Sequence, residues 1–429
     1  MARPGNLRGP TENNVSNSNT NGFGAKEYCL LLLLLYPLLV AFLRHGRLQS
    51  TRKTYGYTTR RSFAHMTDDD ASEIQITIAQ LEFPFTFQKA LQFALFRTYG
   101  IPSISKLLVA TSQFSELSTA SKRYVDTEVL IREFTCHKPS DPRSLEAIAR
   151  MNYIHSFYQK NGSIRDDDML YTLSLFALEP IRWIGRYEWR SLEAFEQCAQ
   201  GTFWKSIGDA MGISYKKLKC AEEGWQDALH WLDDLTEWSE QYEKENMVPH
   251  ANNHKTAEQT VAILLWGIPG VLKPFGSKIV SVLMDDRLRG AMMYDKPTNA
   301  YFLLVYFLFA VRKYLLRYFF LPRPAIFRFN ALEEPSPDGR RSLSMWEAAP
   351  YYVKPTFWRR WGPKAWVSRL LGVPVPGDEG AKYYPDGYKF PEVGPKVFLG
   401  KGEESAKETV RGLARTRTGG CPFGRVAAD

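Results

Sequence analysis

Cysteine is scarce in this sequence and does not pair by spacing. The five present, Cys29, Cys136, Cys198, Cys220 and Cys421, are an odd number with no CxxC. This argues against a disulfide framework and a structural zinc site, and fits a reducing compartment. No dinucleotide GxGxxG, P-loop, GxSxG or HExxH occurs, which removes the usual nucleotide enzymes, serine hydrolases and zinc proteases. Long basic runs are also missing. The net charge of +9 is spread along the chain, without a zinc-finger or RNA-binding signature. Nucleic acid is therefore not expected as a partner, and a membrane carrying anionic lipid suits the charge better. Period-two alternation is sparse, and no internal repeat is found.

Aromatic residues are plentiful: 26 Phe, 22 Tyr and 11 Trp. Such an excess suits a large apolar cavity, a planar cofactor or a membrane-facing surface. Residues 1–26 are polar, rich in Asn, Ser, Thr and Gly, and read as disordered; Asn14-Val15-Ser16 is a glycosylation sequon if this end is lumenal. Residues 28–43 form an unbroken apolar run of sixteen. As a helix it covers roughly 24 Å, against roughly 27 Å for an endoplasmic reticulum (ER) bilayer, a gap that snorkelling Lys26 and Arg44 would close. No small-x-small cleavage site follows, so residues 27–44 read as an uncleaved, single-pass signal anchor. Positive charge is denser after the run (Arg44, Arg47, Arg52, Lys53) than before it (Arg3, Arg8, Lys26). This places the N-terminus in the lumen and the main domain in the cytosol.

From Thr67 onward the apolar period is helical nearly throughout, with Gly and Pro as punctuation. Thr67-Asp68-Asp69-Asp70 marks a helix start. The expected fold is all-α: a large helical domain over 67–322, with an irregular C-terminal extension over 323–429 wrapped on it. Trp346, Trp358, Trp361 and Trp366 are expected to pack that wrap, and the last twenty or so residues to be loose. The apolar stretch 300–320, interrupted by Arg312, Lys313 and Arg317, reads as a core helix whose basic, aromatic end rests on the membrane surface.

One helix stands out, from Asp141 to Gly162. Asp141 suits the cap, Pro142 the first turn, and Asn161-Gly162 the left-handed stop. Leu145, Ile148, Met151, Ile154 and Tyr158 share one face; Glu146, Arg150, Tyr153, Ser156 and Lys160 share the other. His155 falls near the middle of the apolar face. It is either a core histidine satisfied by a neighbour or a metal ligand. A second helix around 118–134 places Arg123, Thr127, Leu130 and Phe134 on one stripe. An inward Arg123 needs an anion: a carboxylate such as Glu128, or an anionic cofactor group.

The segment Ala149-Arg150-Met151-Asn152-Tyr153-Ile154-His155-Ser156 resembles the arginine-to-histidine signature of a haem-oxygenase family. That family contains the bacterial rubber oxygenases and the fungal ER-bound oxygenase of mycophenolic acid biosynthesis. Similarity to the fungal branch is carried also by QLEFPF (80–85), FALFRTYGIP (93–102), TFWKSIGDAMGI (202–213), MDDRLR (284–289), YVKPTFWRRWGP (352–363) and TGGCPF (418–423). The resemblance implies haem b, with His155 as proximal iron ligand, and a globin-like core. It implies distal roles for Arg123 and Thr127, with Arg123 also a candidate for a haem propionate. Where the rubber oxygenases carry a distal lysine this chain has Asp126, so no role of that lysine carries over. Thr172, on an apolar helix, is a further pocket candidate. The implied reaction is cleavage of a carbon–carbon double bond in the farnesyl chain of a meroterpenoid. Dioxygen, a prenylated substrate, the ER membrane and co-located biosynthetic enzymes are the implied partners. Haem-dependent hydroxylation or epoxidation, and a non-catalytic ER scaffold or lipid-binding protein, are the alternatives.

Other clusters are read as structural. Asp166-Asp167-Asp168 is expected to cap a helix. His250 and His254 have the spacing of a metal pair but stand alone in a polar stretch. Asp285-Asp286-Arg287 reads as a surface salt-bridge patch. Trp204, Lys205 and Gly208 share a helix and receive no catalytic role. Cys421-Pro422 lacks the surroundings of a haem-thiolate signature.

Overall fold

A computed structural model describes residues 25–111, 117–347 and 349–423. The polar N-terminal segment and its Asn14 sequon lie outside these, except for Ala25 and Lys26. Among the described residues there is no strand, only three isolated bridges within the C-terminal part. The fold is all-α.

The apolar run sits in one helix, Ala25–Tyr55, which continues about three turns past Leu43. Those added turns are fixed to the body. Arg44 donates to the Phe320 carbonyl at 2.7 Å, Arg47 pairs with Glu82 at 2.9 Å, and Tyr55 donates to Glu73 at 2.8 Å. Arg44 is buried by the protein, so it is held by a carbonyl rather than snorkelling to headgroups.

The expected Asp141–Gly162 helix is present as Pro142–Lys160. Asp141 accepts from the Arg143 amide at 2.8 Å, and Gly162 turns the chain at φ +72°. It packs on Leu117–Thr135 on one side and on Glu403–Thr416 on the other. The helix Pro84–Thr98 lies along Asp166–Tyr187, and Asp68–Thr77 along Ala194–Ala210. Thr67 caps Asp68–Thr77 as its sequence signal requires. Asp166-Asp167-Asp168 does not cap. All three lie in the first turn after Arg165, where carboxylates favour the helix dipole.

Three expectations about the later chain are corrected. The helix Asn299–Tyr318 is not a core helix: Val305 is its one buried side chain among those described. The C-terminal part is not irregular throughout, because it carries Phe357–Trp361, Pro363–Leu370 and Glu403–Thr416. Trp346 is buried as expected, but Trp358, Trp361 and Trp366 are exposed. Of the tail, expected to be loose, the described part through residue 423 is pinned and the remainder lies outside the described residues: Gly419 and Gly420 carbonyls accept from the Asp69 and Asp68 amides, and buried Arg417 donates to Ser206 and Pro139.

What holds the C-terminal segment is Arg150, only 3% exposed. Its guanidinium donates to four backbone carbonyls: Val393 and Pro391 at 2.9 Å, Phe398 at 2.9 Å and Lys401 at 2.8 Å. Burial lowers its pKa, but an arginine stays charged, so the carbonyl dipoles carry the compensation. Beside it Gly394 (φ +117°) passes so close to the helix that a Cβ would meet Ile154 at 2.7 Å. Replacing Arg150 by Met would strand four acceptors. The Arg150→Met protein is expected to lose about 3–5 kcal/mol, read as a lowered midpoint in thermal unfolding of the detergent-solubilised full chain.

Candidate active site

Five helices and two loops build the central cavity; Pro102–Ala110 supplies Ile104, Leu107 and Leu108, and the turn after Lys160 supplies Ser163 and Ile164. Pro84–Thr98 supplies Leu95, Leu117–Thr135 supplies Arg123 and Thr127, Pro142–Lys160 supplies Ile154 and His155, and Asp166–Tyr187 supplies Met169 and Thr172. Pro395, in the loop that Arg150 holds, closes one wall. The space is about 970 Å³ and mostly apolar. It continues behind His155 along Leu130, Phe134, Met151, Phe176 and Trp204. Phe176 and Trp204 stack there, with ring centres 5.1 Å apart. All four residues expected at a site, Arg123, Thr127, His155 and Thr172, line this one cavity.

His155 is neither a satisfied core histidine nor a solvent-exposed one. Protein surrounds the ring, yet its edge borders the cavity. Nδ1 is buried and has no hydrogen-bond partner among the described residues. Burial, and then the nearby charge of Arg123, push its pKa down to about 4. At neutral pH the imidazole is uncharged, the form that ligates metals.

Arg123 has no carboxylate within ion-pair distance among the described residues. Glu128, its expected rival partner, is taken by Arg132 at 2.7 Å. Arg123 donates only to Thr127 Oγ1 on its own helix, and Thr127 Oγ1 also donates to the Arg123 carbonyl at 3.0 Å. The cation therefore borders a mostly apolar cavity with no carboxylate at ion-pair distance among the described residues, a setting in which an anionic ligand group gains. Thr172 Oγ1 donates to the Asp168 carbonyl at 2.8 Å, which leaves its methyl group to the cavity.

Asp126 lies on the same helix but turns away. Its carboxylate accepts from Lys122 at 2.7 Å, Tyr352 at 2.7 Å and the Gly394 amide at 3.2 Å. Burial raises its pKa while Lys122 opposes the shift. It is a clasp for the C-terminal segment and does not line the cavity.

Sequence reasoning missed the wall made by Asp168, Tyr99, Tyr124, Tyr158 and Pro395. Asp168 accepts from Tyr242 at 2.6 Å and Ser103 at 2.8 Å, joining three helices at the cavity edge. Its burial could have been read from the apolar stripe that follows it. Elsewhere His250 caps its own helix, and His254 contacts the Met292 carbonyl at 2.9 Å. Cys421 donates to the Ala64 carbonyl. Asp285, Asp286 and Arg287 are exposed and ion-paired, as expected of a surface salt-bridge patch, and Asp285 and Arg287 also reach the buried Arg97 and Glu243.

No family model matches the chain. Over 392 residues it is 48% identical to the ER-bound oxygenase mpaB′ of Penicillium brevicompactum, which covers 91% of this chain and 93% of that one. The chain belongs to the mpaB family of ER-bound oxygenases. A second mpaB-family oxygenase of the same organism, mpaB, is 44% identical over 83% of this chain and 84% of its own. The mpaB of Penicillium roqueforti is 51% identical over 62% of this chain and 90% of its own.

The position of Asp126 yields a test within this mpaB-family chain. Asp126→Lys restores the lysine of the rubber oxygenases, but sets it against Lys122 and strips Tyr352 and Gly394 of their acceptor. The variant is expected to be destabilised by about 3 kcal/mol or more, with no gain in turnover. Thermal unfolding and product formation measured side by side check both halves.

Proposed function

We propose that this chain is a haem b oxygenase, anchored in the ER membrane, that cleaves a carbon–carbon double bond in the prenyl chain of a meroterpenoid. The observation that carries the reading is the pair His155 and Arg123. An unpartnered, neutral imidazole and a cation without a counter-ion face one apolar cavity, and this is the donor set a haem needs. His155 is assigned to the iron, and Arg123 to a propionate. The family resemblance stated above and the relatives' description as oxygenases support the same assignment.

Haem iron supplies the activation of dioxygen. This chain's residues bind, orient and keep water out. Leu95, Ile154, Met169 and the aromatic wall press an alkene into a fixed position and hold the cavity dry. Cleavage adds both oxygen atoms of O2 across the double bond, one to each new carbonyl, so the atoms balance without an external reductant. Mycophenolic acid biosynthesis, with a farnesyl-bearing phenol as substrate, is the setting that the resemblance supplies.

An apolar substrate class is supported by a second cavity of about 710 Å³ that abuts the first. Leu95, Tyr124 and Thr127 line both. Its far end lies at Gln80, Pro84 and Phe329, next in sequence to the exposed Phe85 and close to the exposed Ile326 and Phe327. In this reading a prenyl chain runs from that apolar edge, past Leu91, toward His155.

Two outcomes test the proposal. His155→Ala is expected to lose the Soret band and activity together; a purified variant that keeps the band refutes the ligand assignment. Leu91→Trp is expected to leave the band intact and lower kcat/KM for a prenylated phenol roughly tenfold or more, about 1.4 kcal/mol. Product mass separates cleavage, which shortens the carbon skeleton, from hydroxylation or epoxidation, which do not.

A further inference from the structure

The two short helices Phe357–Trp361 and Pro363–Leu370 are built inside out. Their small residues Ala365 and Ser368 face the body, while their large apolar residues face away. Trp358 is 75% exposed, Trp366 59% and Leu370 87%. Phe357, Trp361 and Val367 stand out with them. Exposed apolar residues scattered singly need no explanation, but six large ones in fourteen consecutive positions do. Three are tryptophans, the side chain enriched where a bilayer meets water. Cations are interleaved: Arg359, Arg360, Lys364 and Arg369, against the nearby acids Glu333 and Asp378. Arg360 and Arg369 share Asp378, and Lys364, which donates to the Trp346 carbonyl and lies over the Trp346 ring, has no carboxylate at ion-pair distance among the described residues, so the patch keeps an excess of positive charge.

The patch is not isolated. Val373, just beyond it, lies against Gly267, and the chain there leads to exposed Ile268, Val271, Leu272 and Phe275. Phe275 packs on Tyr301 at the start of Asn299–Tyr318, ring centres 5.6 Å apart. The exposed face of that helix continues to Phe319 and Phe320, whose carbonyls receive Tyr36 and Arg44 of the first helix. A line of contacts and exposed apolar side chains thus links the first helix to the tryptophan pair of helices.

We propose that residues 357–371 form a second membrane contact, an interfacial tryptophan–arginine foot that rests in the leaflet facing the folded body. The occupant is the lipid bilayer surface, because the patch is linked to the helix that enters it and carries the cations that headgroups attract. This rests on the reading of Ala25–Tyr55 as a membrane anchor. Tryptophan rings lie at headgroup level, Leu370 and Val367 reach the acyl boundary, and the foot fixes the body's rotation about the anchor.

The test uses the full chain in phosphatidylcholine–phosphatidylserine nanodiscs, with a photoreactive benzophenone amino acid at one position at a time. Leu370 and Trp358 probe the foot, Leu34 the anchor, and Glu334, whose side chain is 93% exposed, open solvent. Lipid adducts are expected from Leu34, Leu370 and Trp358, in yields several-fold above Glu334. Adducts from Leu34 alone overturn the foot and leave the anchor standing. An adduct joining Leu370 to a second copy of the chain also overturns it, in favour of a self-interface. Absence of adducts at Leu34 removes the anchor reading, and the foot with it.

Discussion

A buried guanidinium that finds no carboxylate must be satisfied some other way, and Arg150 is satisfied by four peptide carbonyls. This choice has structural consequences. A carboxylate partner would fix one side chain; four carbonyls from Pro391 to Lys401 fix the path of a whole loop. Asp126 adds a second fastening at Gly394. Between them the loop brings Pro395 to the cavity wall. A helix near residue 150 and a segment near residue 395 are thus parts of one site, and the cavity is complete only when the chain's last quarter is in place. The entropy of closing so long a loop grows slowly with length, so a cluster of charge-assisted bonds is enough to offset it.

At the cavity the electrostatics rest on His155, Arg123 and Asp168, with Asp126 on the Arg123 helix turned away from it. His155 is kept neutral by burial and by Arg123. Arg123 is kept without a counter-ion, because Glu128 is committed to Arg132. Asp126, one turn from both Lys122 and Arg123, is spent on the C-terminal segment. The result is a mostly apolar cavity in which Arg123 has no carboxylate at ion-pair distance among the described residues, while Asp168 at the edge is paired with Arg165 at 3.1 Å. In a low-dielectric surround such an arrangement favours an anionic guest without reorganisation when it arrives.

Much of this was legible before any coordinates. The Pro142–Lys160 helix could be delimited because both of its stop signals act locally, through Asp141 and Gly162. The cavity stripe Arg123, Thr127, Leu130 and Phe134 could be read because helical period alone puts those residues together. The partners of Arg150 could not be read, since a carbonyl leaves no mark in the residue types that carry it. The direction of Asp126 depended on Tyr352 and Gly394, more than two hundred residues away. The exposure of Trp358, Trp361 and Trp366 was misjudged for a related reason. Composition marks tryptophan as a packing residue, and only the small residues beneath, Ala365 and Ser368, reveal which side is out. Asn299–Tyr318 failed in the same way, because an apolar helix has the same sequence whether protein or lipid covers it.

The first helix runs from Ala25 to Tyr55 as one element, with Pro37 inside its apolar half, and Arg44, Arg47 and Tyr55 bolt its second half to the body. It is a shaft, roughly 46 Å long, rather than a tether. The altitude of the body is therefore set by how deeply the apolar half sits. In the proposed anchored state, a bilayer thicker than that half has to thin around the helix, because tilt would shorten the span further and the body bolted to the helix cannot absorb the difference. In that proposed state thin membranes are the ones the apolar half matches, and bilayer thickness itself becomes a criterion for where such a molecule resides.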